Sequence, residues 1–140
     1  MIKSGANIEE KGAYQTTPLM FAAAKNHNSQ VTEVLLKAGA NVNQKSGICK
    51  NGFSLSVYLL EKLANLKPKK WGGDTALILA AKENRNPEVV IALIKAGADV
   101  GSKNAEGKTA LQYAQDNPQM KNTKALTMLR ESLMKEVINQ

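Results

Sequence analysis

The sequence predicts an all-α fold in which short helix-turn-helix units stack side by side. Three observations lead to this prediction: an internal repeat that aligns without gaps, fragments of the same repeat towards both ends of the chain, and an aromatic content of only 4%. Self-similarity at a fixed spacing of a few tens of residues is the signature of stacked repeat architectures. With so few aromatic rings, the core must consist of Ala, Leu, Val and Ile side chains, which suit closely packed helices better than a β-sandwich.

The internal repeat aligns residues 17–43 with residues 75–101, at an offset of 58. Thirteen of the 27 aligned positions are identical, which chance does not give. A third copy begins at Thr109, at an offset of 34 from Thr75, and the same offset of 34 relates Gly5-Ala6-Asn7-Ile8 to Gly39-Ala40-Asn41-Val42. The underlying period is therefore 34, and the offset of 58 exceeds it by 24.

Each unit is predicted to form two helices joined by a short loop. Thr75 suits the N-cap of the first helix, because its hydroxyl can accept from a free backbone N–H group, and Leu77 and Ala80 follow at helical spacing. Pro87 can open the second helix, because the first helical residue needs no N–H donor. Gly97 ends it, since glycine readily adopts the left-handed conformation common just past a helix end. An extended loop, called a finger below, then leads to the next unit.

Two motifs recur in phase along the chain. The first is Thr-Pro-Leu-Met-Phe-Ala-Ala at 17–23, repeated as Thr-Ala-Leu-Ile-Leu-Ala-Ala at 75–81 and in part as Gly-Lys-Thr-Ala-Leu at 107–111. The second is Leu-Leu-Lys-Ala-Gly-Ala-Asn-Val-Asn at 35–43, repeated as Leu-Ile-Lys-Ala-Gly-Ala-Asp-Val at 93–100. On these motifs the sequence resembles the ankyrin-repeat family over most of its length, and the spacing of 34 between copies resembles ankyrin arrays from bacteria.

The sequence departs from the family pattern at a few turn positions. The usual histidine of the first motif is Met20, Ile78 and Gln112 in the three copies, and the turn glycine before the threonine is Gln15 in the first copy. These changes affect local turns and leave the predicted architecture, an ankyrin-repeat α-solenoid with short β-hairpin-like fingers, unchanged.

The chain is predicted to form one domain over 1–140. Its parts are the tail of a preceding repeat (1–9), a first repeat (10–43), an irregular stretch (44–70), a second repeat (71–103) and a C-terminal capping repeat (104–140). The three repeats are called the first, second and third units below.

The irregular stretch at 44–70 is predicted to contain one extra helix. From Ser54 to Leu66 the leucines recur on one helical face, and Pro68 ends the pattern. This helix is either a shrunken repeat that lost its second helix or an insertion in the finger. The insertion is favoured, because a lone helix in the stack would leave one layer unfilled.

The third unit is predicted to close the stack with a longer helix over Thr123–Val137. Leu126, Leu129, Leu133 and Val137 are expected to face inwards, with charged residues turned outwards. A polar outer face is what a terminal repeat requires.

The resemblance implies a module that binds a partner protein and carries no catalysis of its own. In this family partners are bound mostly by the finger tips and by the concave face that the first helices form. Carried over by position, the candidate partner-binding residues are Tyr14, Lys11, Lys25, Lys69, Lys70, Trp71, Lys82 and Lys103. Tyr14 and Trp71 are the most suggestive, because aromatic side chains are frequent anchors of interfaces.

The net charge of +7 favours an unidentified partner with an acidic or mixed surface. The alternative function is nucleic-acid binding through the basic Lys67–Trp71 cluster, where lysines could contact phosphates and Trp71 could stack on a base. Only one aromatic residue joins that cluster, and no known nucleic-acid motif matches, so this alternative ranks second.

No catalytic residue, metal site or cofactor is predicted. Cys49 is the single cysteine, so no internal disulfide can form, and a nucleophilic pair with His27 would lack a third orienting group. Zinc would need several His or Cys ligands at set spacing. The chain has no apolar run long enough to cross a bilayer, so no membrane span is expected, and a monomer in the cytoplasm is the expectation.

Overall fold

The computed structural model describes residues 7–50 and 70–139, with the backbone alone at 13, 48–50, 70 and 71. Within these ranges the chain forms six α-helices arranged as three hairpins. The helices are α1 (Pro18–Lys25), α2 (Ser29–Lys37), α3 (Ala76–Glu83), α4 (Pro87–Lys95), α5 (Ala110–Asp116) and α6 (Lys124–Ile138). The predicted all-α stack of helix-turn-helix units is therefore confirmed.

Threonine caps open the first helix of each unit. The Thr17 hydroxyl accepts a hydrogen bond from the Met20 N–H at 3.3 Å, and the Thr75 hydroxyl accepts one from the Ile78 N–H at 3.2 Å. In the third unit the Thr109 N–H donates to the side-chain oxygen of Gln112 at 2.9 Å, the reciprocal half of a capping box. The repeated threonine thus fixes where each unit begins.

Glycine ends the second helix of the first and second units. Gly39 has φ of 94° and Gly97 has φ of 90°, a backbone conformation that a side chain would strain. The Ala40 N–H then donates to the Leu35 carbonyl at 3.1 Å, and the Ala98 N–H donates to the Leu93 carbonyl at 3.1 Å. Both helices are closed by the same turn.

The core lies between two layers of helices. The first helices pack in the order α1, α3, α5, and the second helices pack in the order α2, α4, α6. Small residues allow the first helices to approach closely: Ala23, Ala80, Ala81 and Ala114 are all fully buried. Larger apolar side chains, among them Leu77, Val89, Leu93 and Leu129, fill the space between the layers.

One finger contains a short antiparallel strand pair, β1 (Ile48–Lys50) and β2 (Lys70–Gly72), in which Cys49 lies opposite Trp71. The predicted extra helix between these strands lies outside the described residues, as does the segment 1–6. Neighbouring fingers are joined by matching bonds: the Gly47 N–H donates to the Tyr14 carbonyl at 2.7 Å, and the Ala105 N–H donates to the Gly72 carbonyl at 3.0 Å. The fingers therefore repeat in the same register as the helices.

The final helix differs from the prediction at its C-terminal end. Leu126 and Leu129 are buried and Leu133 is half-buried, as expected, but Val137 is 67% exposed. At 15 residues α6 is longer than the 9-residue α4 on which it packs, so its last turn extends past its neighbour.

Candidate protein-interaction surface

The first helices leave a row of polar side chains on their exposed side. This first-helix surface is defined by Lys25 on α1, Lys82 and Glu83 on α3, and Gln115 on α5. Lys25 and Glu83 form an ion pair across the first two units, with 2.6 Å between Nζ and Oε2. Because both side chains remain partly in solvent, the pair contributes little to stability and is open to exchange for a partner's charges.

Tyr14 lies ahead of α1 in the chain, in a short 3-10 turn at Ala13–Gln15. Its side chain is 52% exposed, and its backbone has φ of 61°. The turn is held in place because the Tyr14 carbonyl accepts from the Gly47 N–H. The structure therefore presents an aromatic ring to solvent on a backbone that is tied to the next finger.

A buried polar cluster links the second and third units beneath the row. The Asn104 amide donates to the Asp74 carboxylate at 2.9 Å and to the Tyr113 hydroxyl at 2.9 Å, and that hydroxyl donates to Glu106 at 3.1 Å. The Asn104 side-chain oxygen accepts from the backbone of the same finger. The cluster fixes the base of the third finger against the second unit.

The surroundings of this cluster shift the pKa of two of its groups. Burial raises the pKa of the Asp74 carboxyl above its ordinary value, although the Asn104 hydrogen bond and the Lys82 charge act in the opposite direction. Burial also raises the pKa of the Tyr113 hydroxyl. Desolvation is the main cause of both pKa shifts. The hydrogen bonds of the two groups to Asn104 join the second and third units.

Two lysines lie over the Tyr113 ring. The Lys82 ammonium is 5.2 Å from the ring centroid and the Lys108 ammonium is 5.3 Å from it, both within the range of cation–π attraction. Lys82 belongs to α3, whereas Lys108 precedes α5. The Lys82 ammonium of the first-helix surface therefore lies against the Tyr113 ring.

An asparagine ladder, formed by Asn26, Asn84 and Asn117, joins the units at the ends of their first helices. The Asn84 amide is fully buried and donates to the carbonyls of Ala23 and Asn26, at 2.7 and 2.9 Å. The Asn117 amide donates to the carbonyls of Ala81 and Asn84, at 3.0 and 3.1 Å. The sequence analysis missed the role of these residues, although the identity of Asn26 with Asn84 in the alignment was a signal.

The described ranges 7–50 and 70–139 contain no cluster of potential metal ligands. No group of three or more His, Cys, Asp or Glu residues is placed there to hold an ion. The His27 ring nitrogen Nδ1 lies 3.1 Å from the side-chain oxygen of Asn84, so the histidine takes part in the joint between the first two units. No helix among the described residues has the length and apolar character needed to cross a bilayer.

Two models of known families match the chain. A model of the ankyrin repeat matches residues 14–47, and a model of ankyrin repeats in many copies matches residues 59–114. The chain belongs to the ankyrin-repeat family. Ankyrin repeats are generally protein–protein interaction modules, and the family is typically non-enzymatic.

Three proteins similar to this ankyrin chain come from a spider and a virus. Alpha-latrotoxin-Lg1a of Latrodectus geometricus is 30% identical over 128 residues, which are 83% of this chain and 9% of the toxin. Two ankyrin repeat proteins of fowlpox virus (strain NVSL) are 26% and 32% identical; they cover 84% and 69% of this chain, which corresponds to 26% and 18% of their own lengths. The chain thus spans a small part of each relative, and the expected bacterial origin finds no support among them.

The ankyrin fold brings some of the predicted partner-binding residues together. Lys25 and Lys82 lie on adjacent first helices, and Tyr14 and Lys11 precede the first of these helices, with Lys11 exposed. Lys103 is exposed on the finger that leads to the third unit, and its carbonyl accepts from the Lys45 ammonium at 3.0 Å.

The remaining predicted partner-binding residues lie in or beside β2. Lys70 and Trp71 belong to that strand, with only their backbone described, and Lys69 lies outside the described residues. The structure also adds a residue that the sequence analysis did not select: Phe21 on α1 is 68% exposed. The available signal was that Phe21 is aromatic, whereas the equivalent residue of the second unit is Leu79; in the third unit it is Tyr113.

Proposed function

We propose that this ankyrin chain binds a partner protein through its first-helix surface and its finger tips. Tyr14 serves as the aromatic anchor, and Lys11, Lys25, Lys82 and Lys103 supply positive charges along the three units. Lys69, Lys70 and Trp71 stay candidates from their position in the repeat, and their side chains lie outside the described residues. The role is binding and not catalysis, in line with the general behaviour of the family.

The observation that supports this proposal is the common register of the three units. The repeated finger-to-finger hydrogen bonds and the direct packing of α1 on α3 and of α3 on α5 align equivalent side chains. Side chains at variable positions therefore form one continuous surface, whereas the alanines and leucines at constant positions form the core. A rigid surface of this kind can bind a partner without ordering its own backbone, which lowers the entropic cost of association.

The partner that fits is a protein segment with acidic groups flanking an apolar one. The Lys82 ammonium lies over the Tyr113 ring, and on the adjacent α1 the Lys25 ammonium is paired with Glu83. Glu83 and Glu106 add negative charge, so the surface is mixed and not uniformly basic. Mixed charge favours selection among partners over indiscriminate binding of polyanions.

Nothing in the described contacts favours the nucleic-acid alternative. Of the Lys67–Trp71 cluster, Lys70 and Trp71 enter the description with their backbone in β2, and the other members lie outside it. The monomeric state and the cytoplasmic location stay predictions from the sequence.

The test is quantitative affinity capture with matched surface variants. Immobilised wild-type chain, Tyr14→Ala and Lys103→Glu are compared with Lys95→Glu, an exposed lysine of α4 on the second-helix side, by mass spectrometry of captured proteins. We expect at least one protein to be captured by wild type and Lys95→Glu and to fall about tenfold with Tyr14→Ala, because central aromatic anchors dominate interface energies. Circular dichroism and thermal melts check that all variants remain folded.

Equal capture by all four proteins would reject the surface assignment. A further arm adds a random single-stranded oligonucleotide at low and at moderate salt. Salt-sensitive binding of that oligonucleotide, together with capture unaffected by Tyr14→Ala, would instead indicate a nucleic-acid binder.

A further inference from the structure

A carboxylate is buried at the joint between the second and third units. Asp74 is only 8% exposed, and the residue equivalent to it is Thr16 in the first unit and Lys108 in the third. The joint between the first and second units therefore has no carboxylate at this place, and the repeat itself does not require one. A role for this carboxylate in the joint is independent of whether the chain binds the proposed partner.

The backbone and the side chain of Asp74 contact two different fingers. Its N–H donates to the Ser46 hydroxyl at 3.1 Å and its carbonyl accepts from the Ser46 N–H at 2.9 Å, in the finger that follows the first unit. Its carboxylate oxygen Oδ1 accepts from the Asn104 amide at 2.9 Å, in the third finger. A change of charge at the carboxylate therefore acts first on the third finger, because the contacts with Ser46 are made by the backbone.

Few groups around Asp74 favour its charged form. Among the side chains that the structure describes, Asn104 is the one that donates to the carboxylate, and the same amide nitrogen also donates to the Tyr113 hydroxyl. The Lys82 charge favours the ionised form from a distance, since no described ion pair joins it to Asp74. A buried carboxylate with a single neutral donor is costly to ionise. The other charged or titratable groups nearby are Glu83 of α3, Glu106 and Lys108 of the third finger, and Tyr113 of α5.

The burial of Asp74 sets the direction in which pH acts on the joint. Burial raises the pKa of its carboxyl, against the opposing effects of the Asn104 hydrogen bond and the Lys82 charge. Such a group stabilises the folded state below its pKa in the unfolded chain, about 4, and this stabilisation is lost as the pH rises through the raised pKa. In the neutral form Oδ1 still accepts from Asn104 while the proton occupies Oδ2. Acidification should therefore tighten the contact between the two units.

We propose that Asp74 is a proton switch at the joint between the second and third units. In its neutral form Asp74 holds the third finger tightly against the second unit, and in its ionised form it loosens that contact. The switch acts through Asn104 and so controls how firmly the finger that carries Lys103 is held. The joint between the first and second units does not respond, because Thr16 does not change its charge in the same pH range.

The test is amide hydrogen exchange from about pH 7 to about pH 4. The Ala105 N–H, bonded to the Gly72 carbonyl at 3.0 Å, reports on the third finger, and the Gly47 N–H, bonded to the Tyr14 carbonyl at 2.7 Å, is the equivalent bond at the first joint. Each exchange rate is divided into its intrinsic rate at the same pH, which gives a protection factor. We expect the ratio of the Ala105 to the Gly47 protection factor to rise at least about threefold on acidification. The ratio removes effects of pH that are common to the whole chain.

Two substitutions of aspartate by asparagine supply the variant and its control. Asp74→Asn keeps an oxygen acceptor for Asn104 and cannot ionise, so its ratio should stay at the acidic wild-type value throughout. Asp99→Asn makes the same chemical change at an exposed position outside the joint, and its ratio should follow wild type. A wild-type ratio that does not change with pH, or an equal change in Asp74→Asn, would overturn the proposal.

A carbon-13 titration of the wild-type Asp74 carboxyl keeps the proposal testable even if Asp74→Asn fails to fold. We expect the midpoint of that titration to coincide with the midpoint of the change in the protection ratio, because one proton governs both. Midpoints that differ would show that another group controls the joint and would reject Asp74 as the switch.

Discussion

The first and second units of this chain share 13 of 27 aligned residues but have unequal surroundings. The second unit lies between two neighbours, whereas the first is covered by a described neighbour on one side. Leu93 and Asn84 of the second unit are fully buried, while Leu35 and Asn26 of the first unit are half-buried. The stabilising role of a repeat position therefore depends on what the adjacent unit places against it, because each unit contacts only its neighbours.

Of the changes in unfolding free energy predicted here, the largest difference is expected between Leu93→Ala and Leu35→Ala. Leu93→Ala removes a side chain from a fully enclosed site and should lower the free energy of unfolding by about 4 kcal/mol. Leu35→Ala should cost about 1 kcal/mol, since solvent already reaches that side chain. Urea unfolding of both variants measures the difference, and equal losses would contradict the view that burial by a neighbour separates the two units.

The next effect concerns the asparagine ladder. Asn84→Ala leaves the carbonyls of Ala23 and Asn26 without their donor and should cost about 3 kcal/mol. Asn26→Ala removes the single bond to the Asn28 N–H and should cost about 1 kcal/mol. Asn84→Asp is the control: it keeps an oxygen for the Asn86 N–H but places a buried carboxylate against the Ala23 and Asn26 carbonyls, so it should cost at least as much as Asn84→Ala. A stable Asn84→Asp would show that the amide donors contribute little.

A smaller and opposite effect is expected at Thr32. This residue of α2 is fully buried, and within residues 7–50 and 70–139 its hydroxyl has no hydrogen-bond partner. The equivalent residue of the second unit is Val90, which is also fully buried. Thr32→Val should therefore raise the free energy of unfolding by about 1 kcal/mol, because it removes an unpaired polar atom from an apolar site.

The reciprocal change Val90→Thr is the matched control for Thr32→Val. It introduces the same hydroxyl at the same place in the second unit and should lower stability by at least about 1 kcal/mol. Thermal melts of the pair provide the measurement. If Thr32→Val melts at a lower temperature than wild type, valine does not fit between the two helix layers at position 32. Positions 32 and 90 would then differ more than their equal burial indicates.

Much of the architecture could be predicted from the sequence because local signals and the period agree. Thr17 and Thr75 mark helix starts, Gly39 and Gly97 mark helix ends, and the repeat fixes the order of stacking. These signals act through the backbone near each residue, so they can be read one unit at a time. The exposed end of α6 at Val137 was predicted wrongly, because helical spacing does not reveal where the neighbouring helix stops.

The interaction surface could be predicted only in outline. Position in the repeat made Lys25 and Lys82 candidates, which stays a prediction, but their contacts with Glu83 and with the Tyr113 ring involve residues far along the chain. The role of Asn104 was likewise hidden, because its partner Asp74 lies 30 residues away. Contacts between units depend on where side chains lie relative to one another across the stack. A single sequence does not reveal these positions.

The smallest expected effect tests whether Lys25 serves packing or recognition. Its ion pair with Glu83 is the one described ion pair that joins two units, yet both side chains are partly exposed. A double-mutant cycle with Lys25→Ala and Glu83→Ala should give a coupling free energy of about 0.5 kcal/mol. The coupling should decrease further at about 0.5 M salt, because salt at that concentration screens surface charges. A coupling of about 3 kcal/mol would mean that the pair is a structural joint comparable to the asparagine ladder. A weak coupling instead leaves the Lys25 charge available to a partner, because little stability is lost when the lysine turns from Glu83 to a carboxylate of the bound protein.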